Sequence, residues 1–255
     1  MNKFQKFKNL HYQDTALLLA NVWDAGTAIL IEELGFEAIA TSSSAIANAH
    51  GYEDGENIDL DYLLIEVDRV VQCTNLPVTV DFEGGYARDA KTIAANIARL
   101  SKLGVVGINI EDSKGSNDRS ILPGEEFGEI LDQVKKDLQS QNIDMFINVR
   151  TDPFLLGLDN ALEETINRIR IYEDCGADGI FTPFISSGRD ILAVIESTKL
   201  PVNVLSGPGL PNIEELKGLG VKRISMGGAL YASTYNALKE TILQIRSSGS
   251  FQLLF

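Results

Sequence analysis

The sequence predicts an α/β protein built as a (β/α)8 TIM-type barrel. Three observations support this fold class: strand-like and helix-like segments alternate along the chain, the strand-like segments number eight, and polar residues gather directly after them. Nearly continuous apolar strands joined by helices are typical of a parallel sheet that is buried on both faces. Eight such units close most economically into a barrel, and an open doubly wound sheet is the alternative.

The individual elements follow from hydrophobic periodicity. The predicted strands are LLLANVWD from Leu17, EAIATSS from Glu37, VTVDF from Val78, GINIED from Gly107, MFINVRT from Met145, GIFTPF from Gly179, VNVLSG from Val202 and RISMGG from Arg223. Between strands, the segments 89–104 and 161–176 carry apolar residues three and four positions apart, which indicates helices with one buried face.

A weak internal repeat supports the strand count. The segments LGFEAIA, LGVVGIN, CGADGIF and LGVKRIS each place a glycine shortly before a strand, and these glycines are Gly35, Gly104, Gly176 and Gly220. We expect each glycine to end a helix in the left-handed conformation. Pro77 and Pro201 open two further strands, where a missing N–H is harmless. Because no linker interrupts the pattern, a single domain over residues 1–255 is predicted.

Composition limits the classes of function. The 255 residues are 44% hydrophobic and carry a net charge of -14, which argues against the basic face of a nucleic-acid-binding protein. No apolar segment approaches the roughly 20 residues of a membrane span. Cys73 and Cys175 lack metal-site spacing and are expected to be buried free thiols. The sequence therefore predicts a cytoplasmic protein without nucleic-acid or membrane partners.

Carboxylates follow two neighbouring predicted strands. Asp81 and Glu83 lie two positions apart, so an extended chain places both on one side, and Glu111 ends the next strand. Such close carboxylates repel each other unless a cation or a proton intervenes. Oxygen ligands without a suitable histidine favour Mg²⁺ or Mn²⁺ over zinc. The alternative for Asp81 and Glu83 is that they only cap the following helix, and the alternative for Glu111 is that it simply ends its strand.

Arg150 and a run of serines are the candidate groups for binding an anion. Arg150 ends the strand MFINVRT, where a buried guanidinium is costly unless it is paired. It is predicted to grip a carboxylate or phosphonate, and the alternative is an ion pair with Asp152 or Glu111. The serines Ser42, Ser43 and Ser44 offer hydroxyl and backbone N–H groups at the end of another strand, although an ordinary polar loop is the alternative.

These motifs, taken in order, resemble the phosphoenolpyruvate mutase/isocitrate lyase superfamily over nearly the whole chain. The matching motifs are NVWDAGTA from Asn21, SSSAIANAHGYED from Ser42, VDFEGGY from Val80, NIEDS from Asn109, NVRTD from Asn148, and PVNVLSGPG from Pro201 leading into RISMGG. The resemblance implies a barrel, a homo-oligomer (dimer or tetramer) that exchanges C-terminal helices, and Mg²⁺-dependent chemistry on C–C or C–P bonds of small anionic oxo acids.

The resemblance also implies residue roles. Asp81 looks like the direct metal ligand, with Glu83 and Glu111 acting through water. Asp54 matches an aspartate beside the reacting centre, and Arg150 matches a clamp on the group that leaves. The implied catalytic residues are thus Asp54, Glu111 and Arg150, and the implied substrate-binding residues are Ser42, Ser43, Ser44, Arg150 and Asn203.

One loop departs from the family pattern. The segment EDSKGSNDRSILPGEE, from Glu111, has neither the cysteine nor the histidine of the isocitrate lyase loop, and Lys114 is its basic residue nearest to the site. Glu83 also stands where aspartate is commoner, and Ser43 stands where glycine is usual. The predicted function is Mg²⁺- or Mn²⁺-dependent cleavage or rearrangement of a C–C bond in a small 2-oxo or 2-hydroxy acid through a metal-stabilised enolate. The alternatives are a C–P mutase or hydrolase and a non-catalytic oxo-acid-binding barrel, and the SKGSNDRS loop is predicted to act as a lid.

Overall fold

A computed structural model describes residues 1–115 and 119–255. Within them, eight parallel strands form a closed barrel with the neighbour order β1-β10-β9-β8-β7-β4-β3-β2. The barrel strands are β1 (Leu17–Val22), β2 (Ile39–Thr41), β3 (Val78–Asp81), β4 (Gly107–Glu111), β7 (Phe146–Arg150), β8 (Gly179–Thr182), β9 (Val202–Leu205) and β10 (Arg223–Ser225), and β5 (Ser113–Lys114) and β6 (Ser120–Ile121) form a separate two-stranded sheet. The predicted barrel is confirmed, and the open sheet is wrong.

Helices surround the barrel and connect its strands. They are α1 (Lys3–Leu10), α2 (Ala25–Glu33), α3 (Ser43–Ala49), α4 (Leu60–Gln72), α5 (Ala90–Leu103), α6 (Gly124–Ser140), α7 (Ala161–Asp174), α8 (Gly188–Glu196), α9 (Ile213–Leu219) and α10 (Ala229–Ser248), followed by a 3-10 turn at Gln252–Leu254. The four predicted helix-ending glycines all adopt positive φ angles, between +80° and +99°. No described helix is long and apolar enough to cross a membrane.

Alternate residues of each strand face the helices and form what we call the outer core. Ile108 and Ile110 of β4 and Ile147 and Val149 of β7 are buried there with apolar residues of the helices. The intervening strand residues point into the barrel, because side chains alternate along a strand. The outer core is therefore the apolar layer that the strand and helix patterns predicted.

The barrel interior is unusually polar above its base. Asn148 of β7 donates to Asn109 Oδ1 (2.9 Å) and to Asn203 Oδ1 (3.2 Å), and Arg223 Nη2 donates to Asn109 Oδ1 (3.0 Å). Two of these bonds join strands that are not neighbours, so they cross the interior. We call Asn109, Asn148, Asn203 and Arg223 the interior polar cluster. TIM barrels more often fill this space with branched apolar side chains.

Helix α1 closes the base of the barrel, a feature that the sequence did not reveal. Phe7 is fully buried beside Leu17, Leu19 and Phe146. The rings of Phe7 and Phe146 meet edge to face with centroids 5.5 Å apart. The opposite, carboxyl end of the barrel is left for the polar residues.

Several predicted strands end earlier than expected because the next helix begins. Asp24 accepts a hydrogen bond from Thr27 N (2.7 Å) and caps α2, and Ser42 accepts one from Ala45 N (3.3 Å) and caps α3. The predicted lid instead contains a short antiparallel hairpin of β5 and β6, and residues 116–118 of that loop lie outside the described residues. The lid stays a prediction.

Candidate active site

A cavity of about 340 Å³ opens at the carboxyl end of the barrel. Six of the predicted site residues line it, namely Ser42, Ser43, Ser44, Asp54, Asp81 and Arg150. Glu83, Glu111 and Asn203 are not among its lining residues. The mouth of a TIM barrel is where chemistry is expected, since the loops after all the parallel strands converge there.

Asp81, at the end of β3, is held by the start of α3. Its Oδ2 accepts hydrogen bonds from Ser43 Oγ (2.9 Å) and Ser43 N (3.3 Å). Beside it, Asp54 has a buried Oδ1 without a hydrogen-bond partner among the described residues. Burial and the nearby Asp81 charge raise the pKa of Asp54. A buried, orphaned carboxylate oxygen next to a second carboxylate is an arrangement that a cation stabilises.

Glu83 lies just behind this pair in a strained loop. Its φ is +50°, and its Oε2 accepts a hydrogen bond from Glu56 N (2.6 Å). Burial, followed by the charges of Asp54, Asp81, Glu111 and Glu56, raises the pKa of Glu83 to about 8. Side chains occupy the space beside the adjacent Gly84, since a Cβ added there would lie 3.2 Å from both Glu56 Oε1 and Arg88 Nη1.

Arg150 makes both of the ion pairs that were the alternative to substrate binding. Its Nε and Nη2 donate to Asp152 (2.7 and 3.0 Å), and its Nη1 lies 2.7 Å from Glu111 Oε2. Although burial opposes it, these two carboxylates raise the pKa of Arg150. Each Nη keeps a second N–H, so Arg150 can still donate to an anion in the cavity that it lines.

Arg119 is a cation of this site that the sequence motifs did not indicate. Its Nη1 donates to Glu111 Oε1 (2.5 Å), Ser113 Oγ (2.8 Å) and Asp152 Oδ2 (3.0 Å), and its side chain lines the cavity. Lys114, the lysine of the same loop, is exposed. The signal for Arg119 was the surplus of carboxylates at the neighbouring strand ends, which requires more than one cation.

A buried network fixes the strand ends that carry Glu111 and Arg150. Asp112 is fully buried and accepts hydrogen bonds from Thr151 Oγ1 (2.6 Å), Tyr172 OH (2.8 Å) and Arg168 Nη1 (3.1 Å). Helix α7, which carries Tyr172 and Arg168, is thereby tied to the ends of β4 and β7. The neighbouring ion pairs are held by a well-satisfied polar network, which favours rigidity.

The three serines line the cavity, where they can contact a bound anion, whereas Asn203 lies deeper in the barrel. Ser42 Oγ and Ser44 Oγ are 3.1 Å apart at the start of α3, and both residues line the cavity. Asn203 is fully buried, with its amide N–H groups donating to Val204 O (2.7 Å) and Ser225 Oγ (3.2 Å). The structure therefore does not bring Asn203 to the cavity, and it places Leu205 of the same strand there instead.

The donor set suits a hard divalent cation with few direct protein ligands. Within residues 1–115 and 119–255, no three His, Cys, Asp or Glu side chains are grouped so as to hold an ion together. Asp81 and Asp54 nevertheless line the cavity, and Asp54 has its orphaned oxygen, with Glu83 and Glu111 behind them. Mg²⁺ is commonly bound through one or two carboxylates and several waters. The residues present fit such an ion.

Comparison with known proteins identifies the family of this chain. The family model described as phosphoenolpyruvate phosphomutase matches residues 7–246. The chain belongs to the phosphoenolpyruvate phosphomutase family. The crystal structure of a putative phosphonomutase from Burkholderia cenocepacia J2315 is 35% identical, covers 94% of this chain and 98% of its own, and superposes with a TM-score of 0.89.

Two sequence relatives extend the comparison within the phosphoenolpyruvate phosphomutase family. An uncharacterised Mycobacterium tuberculosis protein is 33% identical over 89% of this chain and 83% of its own length. An oxaloacetate decarboxylase from a Bradyrhizobium species is 28% identical over 90% of this chain and 80% of its own. The chain is therefore similar both to a protein named for C–P chemistry and to one named for C–C chemistry.

Proposed function

We propose that this protein cleaves a C–C bond in a small 2-oxo or 2-hydroxy dicarboxylic acid with the aid of a divalent cation. The observation that carries the proposal is that two carboxylates and two guanidinium groups line the same cavity. The carboxylates belong to Asp54 and Asp81, and the guanidinium groups belong to Arg119 and Arg150. Carboxylates suit the cation and arginines suit an anionic substrate. The resemblance to an oxaloacetate decarboxylase over most of both chains supports the choice of reaction.

The chain's own residues would bind, orient and shield the substrate. Arg150 and Arg119 would hold the carboxylate that leaves, because a guanidinium donates two parallel hydrogen bonds to such a group. Ser42, Ser43 and Ser44 would bind the carboxylate that stays. For a 2-oxo acid, when C3–C4 breaks, CO₂ leaves with its oxygens, the electron pair passes into the 2-oxo group as an enolate, and C3 then takes a proton.

A divalent cation is the proposed cofactor. Asp81 would hold it directly, and Glu83 and Glu111 would act through water. When bound, Mg²⁺ or Mn²⁺ supplies positive charge against the negative charge that develops on the enolate oxygen. Asp54 and Glu111 are proposed as catalytic residues, and no role is proposed for the amide of Asn203 at the substrate.

A substrate panel tests the reaction. Oxaloacetate, phosphonopyruvate, phosphoenolpyruvate and 2-methylisocitrate are incubated with the protein and Mg²⁺, and pyruvate formation is measured against protein-free controls. We expect oxaloacetate-type acids to be cleaved. Binding of oxo acids without turnover of any substrate would instead favour a non-catalytic oxo-acid-binding barrel.

Two substitutions test the assigned groups. Asp81→Ala should abolish both turnover and Mn²⁺ binding measured by electron paramagnetic resonance, and metal-dependent turnover that persists would exclude Asp81 as the ligand. Arg150→Lys should lower kcat/KM by about 100-fold, or ~2.7 kcal/mol, because a single ammonium replaces a planar fork of donors. The matched control is Lys136→Arg on the exposed surface of α6, which should leave kcat/KM unchanged.

Cleavage of a C–P bond is the second candidate function. It is supported by the 35% identical phosphonomutase-like structure and by two arginines that suit the doubly charged phosphonate of phosphonopyruvate. Phosphorus-31 NMR distinguishes the outcomes, since mutase action gives phosphoenolpyruvate and hydrolase action gives inorganic phosphate. A phosphonopyruvate signal that stays constant rules out this candidate.

We further infer a cytoplasmic homo-oligomer, a dimer or tetramer of single-domain chains, that exchanges helix α10. None of the residues of α10 is buried, although Tyr235, Leu238 and Ile242 form an apolar stripe and are each about half exposed (47%, 51% and 48%). An apolar groove of about 560 Å³ runs along the barrel beside β1 and β10, lined by Leu18 and Ile224. Light scattering should give a mass above the 27.8 kDa of the monomer. The substitution Leu238→Asp should lower the measured mass.

A further inference from the structure

The cavity has an apolar side that the proposed reaction leaves unused. It consists of Leu155, Phe181, Pro183, Phe184 and Leu205. These residues lie on or after β7, β8 and β9, which are neighbours in the barrel. The carboxylates and serines instead follow β2 and β3, on the other side of Arg150. The substrate cavity is therefore divided into a polar side and an apolar side.

Phe184 is the unusual member of the apolar side. Its backbone has a φ of +64°, a left-handed conformation that glycine or asparagine adopts readily and that is a clear outlier for a bulky residue. Its side chain remains 60% exposed, so packing within this chain does not compensate the strain. Strained residues of this kind cluster at active sites and at segments that clamp a ligand.

The chemistry of this side selects what can lie against it. None of its five residues carries a polar side-chain group, and Pro183 has no N–H to donate. A hydroxyl or a second carboxylate placed there would lose its water without gaining a partner, which strongly disfavours binding. An alkyl group would be removed from water against the rings of Phe181 and Phe184, which favours binding.

We propose that the natural substrate carries an alkyl substituent on C3, and that Phe184 is the residue that selects it. This inference rests on the proposed function and names its substrate class as 3-alkyl-2-oxo dicarboxylic acids. With 3-methyl-oxaloacetate, C3–C4 breaks, CO₂ leaves, the electron pair forms the enolate, and C3 takes a proton from water. The products are CO₂ and 2-oxobutanoate.

The test measures product binding and turnover separately. Calorimetry in the presence of Mn²⁺ gives the Kd of pyruvate and of 2-oxobutanoate, which differ by one methylene group. A methylene in an apolar pocket changes affinity by about 10- to 200-fold, so 2-oxobutanoate should bind at least about tenfold more tightly. Likewise, kcat/KM should be higher for 3-methyl-oxaloacetate than for oxaloacetate.

The variant is Phe184→Gly, and the matched control is Asn142→Gly. Both residues are exposed and both adopt positive φ (+64° and +54°), but Asn142 follows α6 and does not line the cavity. Both substitutions relieve strain and should maintain or raise Tm. Only Phe184→Gly should remove the preference for the methylated ligands, whereas Phe184→Leu should keep part of it.

Each outcome has one meaning. Equal Kd values, a preference that survives in Phe184→Gly, or no binding of either product would overturn the proposal. A product preference that depends on Phe184, together with no cleavage of either oxaloacetate, supports the proposal and rejects only the proposed function. Cleavage of oxaloacetate without any preference rejects the alkyl selection and leaves the proposed function intact.

Discussion

The two faces of the same barrel strands differ in what holds them. In β7, Ile147 and Val149 lie in the outer core among apolar helix residues, whereas Asn148 and Arg150 point inward and are held by hydrogen bonds and ion pairs. The outer core gains stability from buried area, which is insensitive to direction. The interior depends on directed bonds, and a single lost partner leaves a buried polar group unpaired.

This difference separates stability from site geometry. The interior polar cluster reaches the carboxyl end through Asn109, whose Nδ2 lies 3.5 Å from Asp81 Oδ1. Arg223 lies below it, where burial lowers its pKa to about 9 and its Nε and Nη1 lack partners among the described residues. A fold optimised for stability alone would fill this space with apolar side chains. We therefore expect the outer core to set the free energy of unfolding and the interior to orient the site.

The largest expected effect is on stability, from Ile147→Ala in the outer core. Deleting a fully buried aliphatic side chain leaves a cavity and should lower the free energy of unfolding by about 2–5 kcal/mol. Urea unfolding at fixed protein concentration measures the loss. Mn²⁺ affinity should be unchanged, and a parallel fall in Mn²⁺ affinity would contradict the separation of the two faces.

Asn148→Ala, on the interior face of the same strand, should lower activity as well as stability. The substitution removes the donor to Asn203 Oδ1 and one donor to Asn109 Oδ1, and should cost about 1–3 kcal/mol of stability. Because Asn109 orients toward Asp81, kcat/KM should also fall by about tenfold, or ~1.4 kcal/mol. The neighbouring Val149→Ala, on the outer face, is the matched control and should leave kcat/KM unchanged. Equal effects of the two substitutions on kcat/KM would remove the distinction.

His11 tests the base of the interior through pH. Burial, together with the nearby Arg223, lowers the pKa of His11 to about 3, while its Nδ1 lies 2.9 Å from Phe7 O. Below pH 6.5 the unfolded chain takes up a proton that the folded chain does not, until about pH 3. The free energy of unfolding should thus fall by up to about 1.4 kcal/mol for each unit by which the pH is lowered in this range. His11→Phe should flatten the slope, and an unchanged slope would assign it to other groups.

The sequence predicted the barrel because its information is local. Alternation in strands, helical stripes and glycines at helix ends each act over a few residues, and all eight barrel strands lie within the predicted segments. Helix α1 was missed, since eight residues with only Phe7 and Leu10 buried give a weak stripe. Its position under the barrel depends on contacts with Phe146, which is distant in sequence.

The site was less predictable because it depends on how deep each inward-facing residue lies in the barrel and on the path of the loops at its mouth. Alternation places Asn203 on the inner face, but pairing of β9 with β10 sets it opposite Arg223, two residues below the cavity-lining Leu205. Arg119 reaches Glu111 only because a hairpin returns the loop to the barrel mouth. Neither register nor loop path is contained in a local pattern, so residue type could be predicted there and position could not.

The smallest expected effect comes from the exposed surface, which calibrates the two buried faces. Lys136 lies 2.5 Å from Asp132 on α6, one turn away, and both side chains are about half exposed (63% and 45%). Water and salt screen such a pair, so Lys136→Ala should cost at most about 0.5 kcal/mol and less at high salt. The pair of Arg150 and Asp152 has similar distances but a fully buried carboxylate. If urea unfolding gave Lys136→Ala a loss as large as that of Asn148→Ala, polar contacts would stabilise this protein regardless of burial, and the proposed contrast between interior and surface would fail.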